Sequence, residues 1–177
     1  MNAVIPARLS AAELAGTISR PVEEVLAALT SRGEPGSPED IVGAELAIDI
    51  ARALGVQLMV EPRDLALERL YEYEATGESV TDVGGRAGAL VDGVVSSLDE
   101  LDGMIESVSE HWSVARMPLI DRNILRIALH ELRNDETIPT AVIVSEAVRL
   151  AQTYSTEKSS AFVNGVLSTL ARTIRSG

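Results

Sequence analysis

Residue types that could do chemistry are scarce in this chain. It has no cysteine and two histidines, His111 and His130. Disulfides, thiol catalysis and cysteine-zinc sites are therefore excluded together, and two isolated imidazoles give no zinc-ligand spacing. His111 opens a turn before Trp112, and His130 sits mid-helix beside Glu131. A lone histidine so placed is ordinarily a surface or packing residue. The glycine cluster VGGRAG at 83–88 lacks the Lys-Ser/Thr of a phosphate loop, so its glycines bend the chain. The acids Asp99, Glu100 and Asp102 read as a solvated face. With no catalytic constellation, metal set or cofactor motif, the expectation is a protein that is not an enzyme.

What remains is binding chemistry. The formal net charge of −12 argues against a polyanionic partner, because neutralising phosphates takes lysine and arginine. The distribution qualifies this. Residues 1–60 carry 4 basic and 8 acidic side chains, 61–110 carry 3 and 13, and 111–177 carry 8 and 6. The last third is slightly basic and its cations are nearly all arginine, which suits bidentate phosphate or carboxylate contacts better than lysine does; a solvated helical surface accounts for it equally well. No apolar run is long enough for a membrane span, and the N-terminus lacks a signal peptide's basic start and apolar middle. A cytoplasmic protein without membrane partners is expected.

The elements that must position these groups are nearly all helical. Ser10 and Glu13 have capping-box spacing before a first helix. Pro21 opens a second helix that ends at Gly33, with Val22, Val25, Leu26 and Leu29 on its apolar face. GSPED is a turn with a Ser37 cap, EDIVGAELAIDIARALG a third helix, and VQLMVEP a brief β-like run halted by Pro62. From Arg63 the pattern is wholly helical. One helix ends at Gly77, and a long one carries Val94, Leu98, Leu101, Ile105 and Val108 at heptad-like spacing. The next starts at Pro118 and is apolar over so much of its circumference, through Ile120, Ile124, Leu125, Ile127, Ala128, Leu129 and Leu132, that it should lie at the bundle's centre. A Pro139-led helix should turn Val144, Ala147, Val148 and Ala151 inward, and Trp112 should join the core. In AFVNGVLS, the Asn164-Gly165 pair has the composition of a hairpin turn, but Val163, Val166, Leu167, Leu170 and Ile174 fall on one helical face. The pair therefore lies in a last helix. Either another backbone passes close to Gly165 and Asn164 lies half-buried, or both are tolerated surface residues.

The run HWSVARMPLIDRNILRIALHEL, then IPTAVIVSEAVRLAQTY, then EKSSAFVNGVL resembles the NusB family in order, spacing and side-chain type. Fainter similarity reaches back through LVDGVVSSLDELDGMIE to ALERLYEYEATGES, so the resemblance covers about residues 63 to 177. It implies an all-α fold, a NusB-like helical bundle of two subbundles over 62–177, preceded by a small, mostly helical module at 1–61. That module resembles the small N-terminal module of bacterial translation initiation factor two, which implies an auxiliary contact rather than chemistry. The family resemblance further implies a transcription antitermination factor that binds boxA-type RNA in nascent ribosomal RNA. It would act beside the small-subunit ribosomal protein NusE and join the RNA polymerase antitermination complex. The fold also occurs in rRNA cytosine methyltransferases, but no such domain follows Gly177, so the stand-alone factor is expected.

Mapped onto this sequence, the resemblance implies RNA contacts at Arg63, Arg69 and Tyr71 and, in the loop before the last helix, at Lys158, Ser159, Ser160 and Phe162. Tyr71 and Phe162 lie on apolar helical faces and could equally serve the core. A basic protein partner would meet Asp92, Asp99 and Asp102. The family's basic cluster at the first helix is reduced here to Arg63 and Arg69, and the segment before LVDGV is shorter by about one helix. Because each missing phosphate contact removes counterion release, an alternative stands beside the first reading: a protein-binding adaptor that keeps the fold and has lost most RNA contact.

Overall fold

In the computed structural model, which describes residues 2–6, 8–77, 83–109 and 113–175, the chain forms two compact units, Met1–Leu65 and Ala66–Gly177. Trp112 and His111 lie outside the described residues.

The first unit contains more strand than the sequence pattern suggests. β1 (Asn2–Ile5) pairs in parallel with β4 (Gln57–Val60), and β2 (Arg8–Ser10) pairs antiparallel with β3 (Ile41–Gly43). Around these ribbons pack α1 (Ala11–Ile18), α2 (Val22–Thr30) and α3 (Ala44–Ala53). The Ser10–Glu13 capping box is present, with the Ser10 N–H donating to Glu13 at 2.7 Å and the Glu13 N–H to the Ser10 hydroxyl at 3.2 Å. The third helix starts later than expected. Ile41–Gly43 is extended instead, because Val42 buries against the core beside Leu9, Leu14, Val25 and Ile50. Ser37 caps no helix; its N–H bonds the Asp40 carboxylate at 2.7 Å within the turn.

α4 (Pro62–Thr76) leads into the second unit, ending where Gly77 takes a φ of +72° that a side chain would resist. There follow α5 (Gly85–Ser96), α6 (Leu98–Val108), a 3₁₀ turn (Val114–Arg116), α7 (Leu119–Asn134), α8 (Thr140–Tyr154) and α9 (Ser159–Ile174). Thus α5 and α6 replace the single long helix expected from heptad-like spacing, with a break at Ser97. α7 is the central helix. Ile124, Leu125, Ile127, Ala128, Leu129 and Leu132 are all buried, and α5, α6, α8 and α9 pack around it.

On α8 the inward set is Ile143, Ala147, Leu150 and Ala151. Val148 is only half-buried and lies with Ala141, Val144 and Ser160 along a shallow surface groove. Asn164 and Gly165 are helical but exposed, and a Cβ on Gly165 would meet nothing within 4 Å. Among the described residues no backbone passes close to it, so the surface alternative describes this pair.

Candidate nucleic-acid interface

The first turns of α7 place a polar cluster inside the largely apolar bundle. Asp121 is buried, and its carboxylate accepts hydrogen bonds from the hydroxyls of Ser155 and, at 2.8 Å, Ser159. Those serines bracket the loop between α8 and α9. The Asp121 charge also stands at the N-terminal end of α9, where the helix dipole favours an anion.

Arg122, the next residue, reaches other elements. Its Nε donates to Glu74 at 3.0 Å, and its Nη1 points at the carbonyls of Val114 and Ala115, at 3.4 and 3.5 Å. Asn123 donates to the same Glu74 oxygen at 2.9 Å. Arg126, one turn on and 5% exposed, grips Asp102 bidentately at 2.7 and 2.8 Å and donates to Glu74 at 2.7 Å. Two arginines of α7 thus neutralise one acid from α4 and one from α6.

Burial alone would raise the Glu74 carboxyl, but hydrogen bonds from Arg122 and Arg126 outweigh it and hold the group below its usual range. Burial likewise works against the Arg126 cation, and Asp102 and Glu74 more than offset it, raising its pKa. The cluster is charge-matched. It fixes α4, α6, the 3₁₀ turn and the α8–α9 loop to one end of α7.

The residues expected at an RNA surface divide around this frame. Arg63 on α4 is largely buried and paired with Glu61 at 3.3 Å, and Arg69 is paired with Glu72 at 2.9 Å. Tyr71 is 42% exposed, three residues before Glu74 and so on the same side of α4. Lys158 is exposed just before α9. Ser160 is half-buried, with its hydroxyl 3.4 Å from the Glu157 carbonyl. Ser159 is buried and its hydroxyl is engaged by Asp121, which makes it a loop anchor in place of the phosphate contact expected of it. Phe162 is partly buried against the core.

Of the acids expected to meet a protein partner, Asp92 and Asp99 are exposed, whereas Asp102 is held by Arg126 and is not a free surface acid. Glu74, Asn123 and Arg126 are absent from the sequence-based site. A signal exists in the motif DRNILR, whose two arginines stand one turn apart at the start of the apolar run Ile124, Leu125, Ile127, Ala128, Leu129 and Leu132 and so need buried partners. Among the described residues no group of three or more His, Cys, Asp or Glu could hold a metal, and no helix is long and apolar enough to cross a membrane.

The sequence profile of the NusB family matches residues 60–172. This chain belongs to the NusB family. The transcription antitermination protein NusB of Geobacter sp. strain M21 is 38% identical over 137 residues, covering 75% of this chain and 93% of its own length. That of Desulforudis audaxviator strain MP104C is 49% identical over 117 residues, covering 65% and 84%. Among solved structures, T. maritima NusB matches with a TM-score of 0.58 at 30% identity, over 63% of this chain and 88% of that one. A crystal structure of antitermination factors NusB and NusE in complex with dsRNA matches with a TM-score of 0.53 at 29% identity, over 63% and 94%. The NusB similarity covers α4 to α9 and therefore contains the polar frame around α7.

Proposed function

We propose that this chain is a non-catalytic, cytoplasmic antitermination factor that binds boxA-type RNA during rRNA transcription, together with a NusE-type ribosomal protein in the RNA polymerase antitermination complex. The observation that carries the reading is the neutralised frame on α7 beneath two displayed groups. Tyr71 is an exposed ring available for base stacking, and Lys158 is an exposed cation on a loop anchored by Asp121. Stacking is worth roughly 1–3 kcal/mol per base, and a cation on an anchored loop meets phosphate without the cost of ordering the backbone that carries it. Family membership and the resemblance to a NusB–NusE–dsRNA assembly support the same reading. Asp92 and Asp99 supply acids for a basic partner, and such a match acts mainly on association rate and orientation.

One observation favours the adaptor reading instead. α4 carries two arginines against four acids, and both arginines are paired with acids. We therefore expect weak RNA binding by the chain alone, with a shallow salt slope, and useful affinity only beside the basic partner. Gel-shift titration of a boxA-type RNA, with and without the NusE-type protein, tests both readings. Binding that needs both proteins supports the proposal; partner binding with no RNA retained leaves the adaptor.

A further inference from the structure

We infer that Arg116 is a phosphate contact of this RNA surface, set in place together with Lys158 by two neighbouring residues of α7, Asp121 and Arg122. The inference rests on the RNA-binding reading above. Among the described cations of the second unit, all but Arg116 and Lys158 have a hydrogen bond or an ion pair. Arg86, Arg122, Arg126 and Arg133 neutralise carboxylates from other helices, whereas Arg172 bonds its own helix backbone at Ser168. Arg116 and Lys158 are exposed, and each sits on a short segment that is fastened down.

The fastening converges. Arg116 ends the 3₁₀ turn, whose Val114 N–H donates to Glu106 at 2.9 Å and whose Val114 and Ala115 carbonyls face the Arg122 guanidinium. Lys158 precedes α9 in the loop whose Ser155 and Ser159 donate to Asp121. Asp121 and Arg122 are consecutive, so their Cα atoms are about 3.8 Å apart, and the two loops flank the same end of α7. The same Arg122 holds Glu74, and with it the turn of α4 that displays Tyr71.

Two unpaired cations and one exposed ring thus stand on elements gathered by a single helix end. A single-stranded RNA, with phosphates repeating along its backbone and bases free to stack, matches that set. The buried Asp121 charge already occupies the favourable site at the start of α9. Phosphate there must therefore be met by the Lys158 side chain rather than by the helix end.

The test uses the full chain with the NusE-type protein and a single-stranded boxA-type RNA oligonucleotide, with affinity measured across a salt series. Arg116→Glu and Lys158→Glu should each weaken binding several-fold and make the salt slope shallower by about 0.7 for the one phosphate no longer neutralised. Arg172→Glu, about 21 Å along α9 from Lys158, should change neither. Arg122→Gln should also weaken binding, and the part of that loss carried through Arg116 should disappear in the Arg116→Glu background, leaving only the part carried through the Tyr71 turn, because a positioning residue acts through the groups it positions. If the unmodified chain shows no RNA binding, the RNA reading itself falls. If it binds and Arg116→Glu behaves like Arg172→Glu, this inference alone is overturned.

Discussion

The two ends of α7 solve opposite problems with the same side chain. At its N-terminal end the helix supplies the arginines, and neighbouring helices bring the acids: Arg122 and Arg126 hold Glu74 of α4 and Asp102 of α6. At its C-terminal end the helix mainly accepts, although Arg133 donates to Glu100 of α6. The Arg175 guanidinium, just past α9, donates to the carbonyls of Glu131, Leu132, Asp135 and Ile138 at 2.6 to 3.2 Å, and Arg86 of α5 binds the buried Glu131 carboxylate at 2.6 Å. The first end trades charge for charge in the interior. The second joins one such pair, Arg86 with the buried Glu131, to the carbonyls that a helix end leaves without partners, where a cation is also favoured by the dipole. The difference predicts that the N-terminal cluster is the costlier to break.

Arg126→Ala should have the largest effect. It strands Glu74 and Asp102 with less compensation, and breaking a buried ion pair from one side typically costs about 3–5 kcal/mol. Urea unfolding at neutral pH should show that destabilisation in the midpoint at unchanged slope. A change below about 1 kcal/mol would mean that the cluster behaves as a surface ion pair, and the contrast between the two ends would collapse.

Local periodicity makes much of the second unit legible. The isoleucine and leucine spacing of α7 and the Val163–Leu170 stripe of α9 give those helices directly, because a helix records its buried face within a few residues. The Ser97 break leaves no such record, since Leu98, Leu101 and Ile105 resume the phase of Val94 across it. The parallel pairing of β1 with β4 joins Asn2 to Gln57, and strands of four residues carry too little pattern to announce a partner so far away. The site divides in the same way. Lys158 and Tyr71 enter the proposed surface through family position and residue type, and both are exposed. The Arg126 bonds to Asp102 and Glu74 span 24 and 52 positions, and no local spacing encodes them. Gly165 misleads for a different reason: a glycine inside a helix costs roughly 1 kcal/mol, which suggests a close neighbour, yet the space beside it is open.

Arg175→Ala tests the second end. The bonds it removes are charge-assisted but only partly buried, and the freed carbonyls lie near enough to the surface for water to replace some of them. Removing hydrogen bonds to a charged group costs about 1.5–3 kcal/mol, so the variant should fall between wild type and Arg126→Ala in the same unfolding series. Fraying should concentrate at the ends of α7 and α9, read as faster amide exchange near Leu132 and Ile174. Uniform exchange changes across the bundle would assign Arg175 to the global core rather than to a cap.

The smallest expected effect separates the two ends by pH. His130, near the C-terminal end, lies half-buried over Gly93, where an added Cβ would come within 2.2 Å of the ring. Burial lowers its pKa from the usual 6.5; Glu131 opposes the shift and Arg133 adds to it, and Arg86 and Asp135 line the same cleft. The folded chain therefore holds this ring neutral at a pH where the unfolded chain already binds a proton. Stability from this group is present above 6.5 and declines as pH falls below it, until the folded ring also titrates. Glu74 at the other end gives a lower window. Its folded carboxyl is held below 4.5, so its contribution persists through the His130 step and disappears only on further acidification. Thermal melts from roughly pH 7.5 to 5.5 should show a small decline that His130→Gln removes, while the steeper decline in stronger acid remains. A decline of equal size in the variant would place the proton uptake elsewhere and leave burial of the ring without a thermodynamic signature.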